Sequence, residues 1–186
     1  MPRTPELDET QFNPRQKEIY DEILSSRGHL GGPFKIWLYS PELADRTQRL
    51  GEFLRYQTSL ESRLSELAIL VVGRHYNCQV EWTLHERFAR EAGLAPEIIE
   101  NLRQKVTPTN LEPDEAAVYA FASEILAKGS VGDQTFAQAS EILGRKALVE
   151  LTALVGYYVL VSMTLNAFQV PLPPGVDPTL SNAETF

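Results

Sequence analysis

The chain has one cysteine, two methionines, two tryptophans and three histidines in 186 residues, and each shortage removes a class of explanation. A single thiol, Cys78, permits no intrachain disulfide, which fits a cytoplasmic setting. Cations are also scarce: 17 Lys and Arg against 25 Asp and Glu leave a formal charge of −8. Polyanion binding needs clustered Lys and Arg, and no such cluster occurs, so neither nucleic acid nor a membrane surface is an expected partner. The opening "MPRTPELDETQFNPRQ" has no apolar run of the kind that makes a secretory signal. No glycine-rich phosphate loop is present, and no nucleotide or other cofactor is expected. The most apolar segment, Leu148 to Leu165, approaches bilayer length but carries Glu150, Thr152, Ser162 and Thr164, and reads as a buried helix.

Strand-like alternation is nearly absent, whereas helix starts and stops recur. Asn13 followed by Pro14 opens one helix, with Ile19, Ile23 and Leu24 on a face. Ser40 followed by Pro41 opens another, along which Leu43, Thr47, Leu50 and Leu54 repeat at helical spacing. A helix is expected from about Leu60 to Tyr76, then a second capped by Asn77 and stopped at Gly93. A short helix begins at Pro96. A longer one runs from about Glu112 to Lys128, with Ala116, Tyr119, Ala120 and Ile125 as its apolar face. "DQTFAQASEILG" and "RKALVELTALVGYYVLVSMTLNAF" complete an all-α chain of about 7–9 helices. One helical domain is expected over 1–170, followed by a Pro-rich tail over 171–186 that lies loosely on the body.

Chemistry concentrates in "SELAILVVGRHYNCQVEWTLHERFAREAGL". Its two helices join at a bend too short for anything but an antiparallel hairpin. Glu66 lies about 11 residues before the bend and His85 about 8 after it, so both stand roughly 12–17 Å from the turn at about 1.5 Å of rise per residue. They face each other. Cys78, Glu81 and His85, spaced i, i+3, i+7, line one stripe of the second helix, with Trp82 beside it as a wall against water. Burial against Leu67, Leu70 and Val71 raises a carboxyl pKa toward that of histidine and suits proton exchange at neutral pH. At the start of a helix, Cys78 is expected to have a lowered thiol pKa. The bland reading of the same spacing is a solvated Glu81–His85 pair, a core-filling Cys78 and a Glu66 paired with Arg63. A metal site is not expected. Di-metal bundles use Glu-x-x-His from two helices, and here the spacing is Glu-x-x-x-His, once. Glu66 and Glu150 both open an apolar run with Glu-Leu. If this echo is a duplication, the second copy places Ser162, Leu165 and Gln169 where the first has Cys78, Glu81 and His85.

The segment resembles the carboxymuconolactone decarboxylase family, which includes the alkyl hydroperoxidase D group. The matching elements are the Glu-Leu-x-Ile-Leu opening at Glu66, the Arg74–Cys78 stretch, Val-Glu-Trp ending at Trp82, His85 three residues on, and Ala-Gly-Leu ending at Leu94. The resemblance implies an all-helical bundle assembled as a homo-oligomeric trimer or hexamer, with its pocket near a subunit contact. It also implies a proton relay through Glu66 and His85. Peroxidase members carry Cys-x-x-Cys-x-x-x-His; here Glu81 stands in place of the second cysteine, so disulfide turnover within one subunit is excluded. The expected activity is therefore a cofactor-free lyase acting on a small carboxylated or lactone molecule. In it His85 acts as acid/base, Glu66 orients it, Glu81 carries a second proton, and Trp82 and Arg74 contact substrate. A thiol hydroperoxidase using Cys78 with an external resolving thiol is the second reading. A non-catalytic family member is the third.

Overall fold

A computed structural model describes residues 2–28 and 30–180; His29, expected in an exposed glycine-rich loop, lies outside the described residues. These residues form α1 (Pro14–Arg27), α2 (Phe34–Trp37), α3 (Pro41–Tyr56), α4 (Ser62–His75), α5 (Gln79–Glu91), α6 (Pro96–Arg103), α7 (Pro113–Lys128) and α8 (Asp133–Phe168), with a 3-10 turn at Glu9–Gln11. No strand occurs among them. The all-α expectation and the helix count both hold.

Capping chemistry sets most of the boundaries. Asn13 accepts from the Gln16 N–H while the Gln16 side chain accepts from the Asn13 N–H, a reciprocal box that starts α1 at Pro14. Glu112 and Glu115 make the same arrangement ahead of Pro113. The second helix of the hairpin departs from expectation: Asn77, at φ 48°, is the left-handed residue of the bend, and Cys78 occupies the cap. Ser40 precedes α3 without a capping hydrogen bond from its side chain.

α4 is the axis of the molecule. It is buried continuously from Leu64 to Arg74 and packs against α5, α7 and α8, so its apolar residues satisfy neighbours on every side. α8 joins the two expected C-terminal helices through a kink at Gly144, whose φ of 78° and ψ of 161° are open to glycine at little cost. Two apolar faces differ from the expected ones. On α3 the buried residues are Ala44, Thr47, Gln48, Gly51 and Leu54, while Leu43 and Leu50 are exposed. On α7 they are Ala117, Val118, Phe121 and Ala122, with Ala116 and Ala120 outside. On α3 small and polar residues form most of the buried face, whereas on α7 the large Val118 and Phe121 anchor it and two small alanines face out.

α3 crosses α8 at Gly51. A Cβ there would overlap the Tyr157 hydroxyl and sit 2.7 Å from its ring carbon Cζ, so the glycine allows the close approach of the two helices. The described part of the tail is held rather than loose: the Thr179 N–H donates to Thr83 Oγ1 at 3.2 Å, Arg103 donates to the Thr179 carbonyl, and Leu180 is buried.

Candidate active site

The α4–α5 hairpin brings its two remote groups into contact. His85 Nδ1 lies 2.6 Å from Glu66 Oε2, both side chains being buried. A carboxylate accepts, so Nδ1 carries the proton of this bond and Nε2 is left to face the other way. Toward Nε2 comes Glu81, one helical turn earlier on α5, with Oε2 at 3.3 Å. That oxygen is buried and makes no aligned hydrogen bond. Burial pushes the Glu81 carboxyl above its usual range, against the opposing pull of His85 and Arg55, so its protonated form is favoured. One imidazole is thus clasped between a carboxylate that orients it and a second carboxyl disposed to hold a proton. Arg63 does not pair with Glu66; it binds Asp114 and Glu115 at the start of α7.

Glu81 and His85 open on a cavity of about 440 Å³, the size of a small-molecule site. Its walls come from the Gly31–Phe34 loop, α3, α5 and α8, and include five aromatic rings, those of Phe34, Tyr56, Phe88, Tyr157 and Tyr158. The His85 ring stands edge-on to Phe88 and to Tyr158, with centroids at 5.6 and 5.1 Å. Tyr158 is buried, and desolvation raises its hydroxyl pKa well above the usual value, so it remains an O–H donor. Arg55 enters from α3, its nearest nitrogen 3.8 Å from Glu66 Oε1.

Three expected site residues lie elsewhere. Cys78 has no exposure and does not line the cavity. Desolvation and the nearby Glu81 push its thiol up to about 12, overriding the backbone amides at the start of α5; the expected dipole-lowered thiol is not found. Trp82 is fully buried on the side of α5 away from the cavity, its ring under the Arg103 guanidinium at 5.3 Å. Arg74 donates to the Arg103 carbonyl at 2.9 Å and to Asn77 Oδ1, tying the hairpin bend to the end of α6. His75 is exposed and stacks edge-on with Tyr76 rather than capping α4. Trp37, buried, donates from Nε1 to Thr164 Oγ1 at 3.1 Å, and Tyr39 reaches the Pro5 carbonyl. Among the described residues, no group of three or more His, Cys, Asp or Glu side chains is arranged to hold a metal ion.

Sequence reasoning missed Arg55 and left Tyr157 and Tyr158 between core packing and the pocket mouth; the cavity is lined by both. All three come from helices outside the hairpin. The available signal was Gly51, which sits one turn before Arg55 and admits Tyr157.

The chain is thus a helical bundle with a buried Glu–His–Glu clasp opening on an aromatic cavity. Residues 41–124 match the Carboxymuconolactone decarboxylase family. That match runs from the start of α3 to the third turn of α7 and takes in the whole hairpin. Its fold is similar to that of an uncharacterized peroxidase-related protein from Ralstonia eutropha JMP134, described as an alkylhydroperoxidase AhpD core: 14% identity over 93% of each chain, TM-score 0.77. An uncharacterized peroxidase-related protein from Silicibacter sp. TM1040 gives 13% identity over 94% of this chain and 93% of that one, TM-score 0.75. The debrominase Bmp8 in its apo form gives 13% identity over 87% of each chain, TM-score 0.69. At these identities the likeness establishes the fold. No curated protein matches the sequence.

Proposed function

We propose that the protein is a cofactor-free lyase that moves protons on a small carboxylated or lactone molecule, with His85 as acid/base, Glu66 as its orienting carboxylate and Glu81 as proton store. The observation that carries this reading is the clasp: Glu66 Oε2 at 2.6 Å on one ring nitrogen, Glu81 Oε2 at 3.3 Å on the other, and the cavity beyond. In a decarboxylation the bond from the substrate carbon to its carboxylate breaks, and the electron pair passes to that carbon and into its conjugated carbonyl oxygen. Carbon dioxide leaves, and the Nε2–H of the imidazolium returns a proton to the carbon. Glu81, favoured in its protonated form, resupplies Nε2, and solvent reprotonates Glu81. Glu66, at 2.6 Å from Nδ1, supports the positive charge on the ring.

The thiol hydroperoxidase reading draws on the peroxidase-related descriptions of two structural neighbours. It is disfavoured by the burial of Cys78 and by its high thiol pKa, since the thiolate is the nucleophile. A homo-oligomer in the cytoplasm is the proposed state. An exposed apolar stripe on α8 supports the assembly, and its single cysteine suits the compartment.

The test is incubation of the protein with a carboxylated γ-butenolide in deuterium oxide, followed by proton NMR. The expected result is loss of carbon dioxide or deuterium incorporation beside the carbonyl, reduced about 100-fold or more in His85→Ala, since positioned acid–base groups contribute roughly 10²–10⁴-fold. Incorporation unaffected by His85→Ala defeats the reading. So does hydroperoxide consumption that vanishes in Cys78→Ser and survives in Glu81→Gln. Unchanged ligand binding and stability in His85→Ala and Glu66→Gln together favour the non-catalytic reading.

A further inference from the structure

The clasp accounts for Glu66, Glu81 and His85 but leaves two strong donors in the same cavity unused. Arg55 lines it with a side chain that is 20% exposed. Its guanidinium makes no hydrogen bond among the described residues. Its one ionic contact is the loose 3.8 Å approach to Glu66 Oε1, while the other oxygen of Glu66 is committed to His85. What holds Arg55 is aromatic: its Cζ lies 4.8 Å from the Phe88 ring centroid and 5.5 Å from that of Tyr56. Glu66 and Glu81 both stand near enough to favour its charge, and neither takes a hydrogen bond from it, so its N–H groups remain free for a ligand.

Tyr158 is the second donor. It is 3% exposed and lines the cavity, and its hydroxyl has no hydrogen-bond partner among the described residues. Its nearest charged neighbours are Arg55, Glu81 and Glu66. Lining the cavity, that hydroxyl is placed to donate to a bound acceptor. Arg87, with its Cζ 4.7 Å from the Phe88 ring, also lines the cavity but is paired with Glu91 at 3.6 Å. Glu81 shares the cavity with Arg55, and its protonated form leaves the guanidinium as the charged group there.

We propose that Arg55 and Tyr158 form the anion-binding end of the cavity, gripping the carboxylate of a small planar unsaturated acid so that its reactive carbon faces His85 Nε2. Planarity follows from the walls, because flat rings pack on conjugated acids with little loss of contact. The forked guanidinium takes two carboxylate oxygens in one plane, and the Tyr158 O–H adds a third hydrogen bond from the side. This assignment deepens the lyase reading and rests on it for the orientation toward His85. The carboxylate preference stands by itself.

The experiment compares 2-furoate with the neutral 2-furamide by calorimetric titration of the full chain. In the unmodified protein 2-furoate is expected to bind about 10–100-fold more tightly, the range of a hydrogen bond to a charged group. Arg55→Gln is expected to abolish that preference and Tyr158→Phe to weaken furoate binding about 3–10-fold. Equal binding of acid and amide in the unmodified protein, or no binding of either, overturns the proposal. A preference that survives Arg55→Gln overturns it as well. If Arg55→Gln does not fold, the acid and amide comparison in the unmodified protein carries the decision. Furoate preference without deuterium incorporation into the butenolide keeps the clamp and removes the lyase reading. Incorporation with equal binding of acid and amide does the reverse.

Discussion

At the scale of single residues, the site is governed by how little water reaches its ionisable groups. Glu81 illustrates this most sharply, because its raised pKa links it to stability. In the unfolded chain its carboxyl titrates near 4.5, whereas burial keeps the proton on to higher pH in the folded state. Below pH 4.5 both states hold the proton and Glu81 contributes no pH dependence. Above that value the folded state binds more protons than the unfolded one, and stability falls as pH rises. Glu81→Gln removes the penalty. Thermal unfolding is therefore expected to show the variant stabilised at pH 8, by about 1–3 kcal/mol, and little changed at pH 4. An equal shift at both values contradicts the account. Cys78 obeys the same rule in the other direction of use: the helix start offers it backbone amides, yet desolvation dominates and the thiol stays protonated. Its position in the sequence gave no warning, since a helix terminus looks the same whether it faces water or the interior.

Between elements, the decisive contact is the crossing of α3 and α8. Gly51 lets Tyr157 lie against the α3 backbone, which fixes the height at which Arg55, one turn further along, enters the cavity. Gly51→Ala forces the two helices apart. Overpacking of this kind costs about 1–3 kcal/mol, more than the better helix propensity of alanine returns, and the lowered midpoint is read by urea unfolding. Furoate affinity should fall with it, because Arg55 moves. An Ala variant of unchanged stability contradicts this description of the crossing. The hairpin elements were legible in the sequence: the Asn77–Cys78 bend is short, Glu66 and His85 stand at comparable distances from it, and the two side chains meet. Arg55 and Tyr158 were not. Arg55 lies at the end of the helix before the hairpin and Tyr158 on the last helix, and nothing local to either distinguishes a cavity-lining side chain from a surface arginine or a core tyrosine. Trp82 and Arg74 were misplaced for a related reason: neighbours of a functional stripe on a helix point up to 100° away from it, here toward α6 and the tail.

For the whole molecule, the outer face of α8 carries an uncharged seam. Val149, Ala153, Gly156, Leu160, Met163 and Ala167 are all exposed and follow a four-three spacing, the pattern of a helix that packs against another helix. α8 is long and apolar enough to cross a membrane, but 61% of its most apolar window is buried in the protein, as in a core helix. The proposed homo-oligomer covers the remaining strip. Light scattering is expected to give a trimer or hexamer for the unmodified chain and a smaller species for Leu160→Glu with Met163→Glu; a monomeric unmodified chain refutes the assembly.

The cavity, the clasp and the anion clamp matter for function only if His85 delivers protons to carbon. Deuterium incorporation into the carboxylated butenolide, followed by proton NMR in the unmodified protein and in His85→Ala side by side, measures that step itself. The account predicts label beside the carbonyl in the first and about 100-fold less in the second. Label appearing at the same rate in both, or in neither, contradicts it.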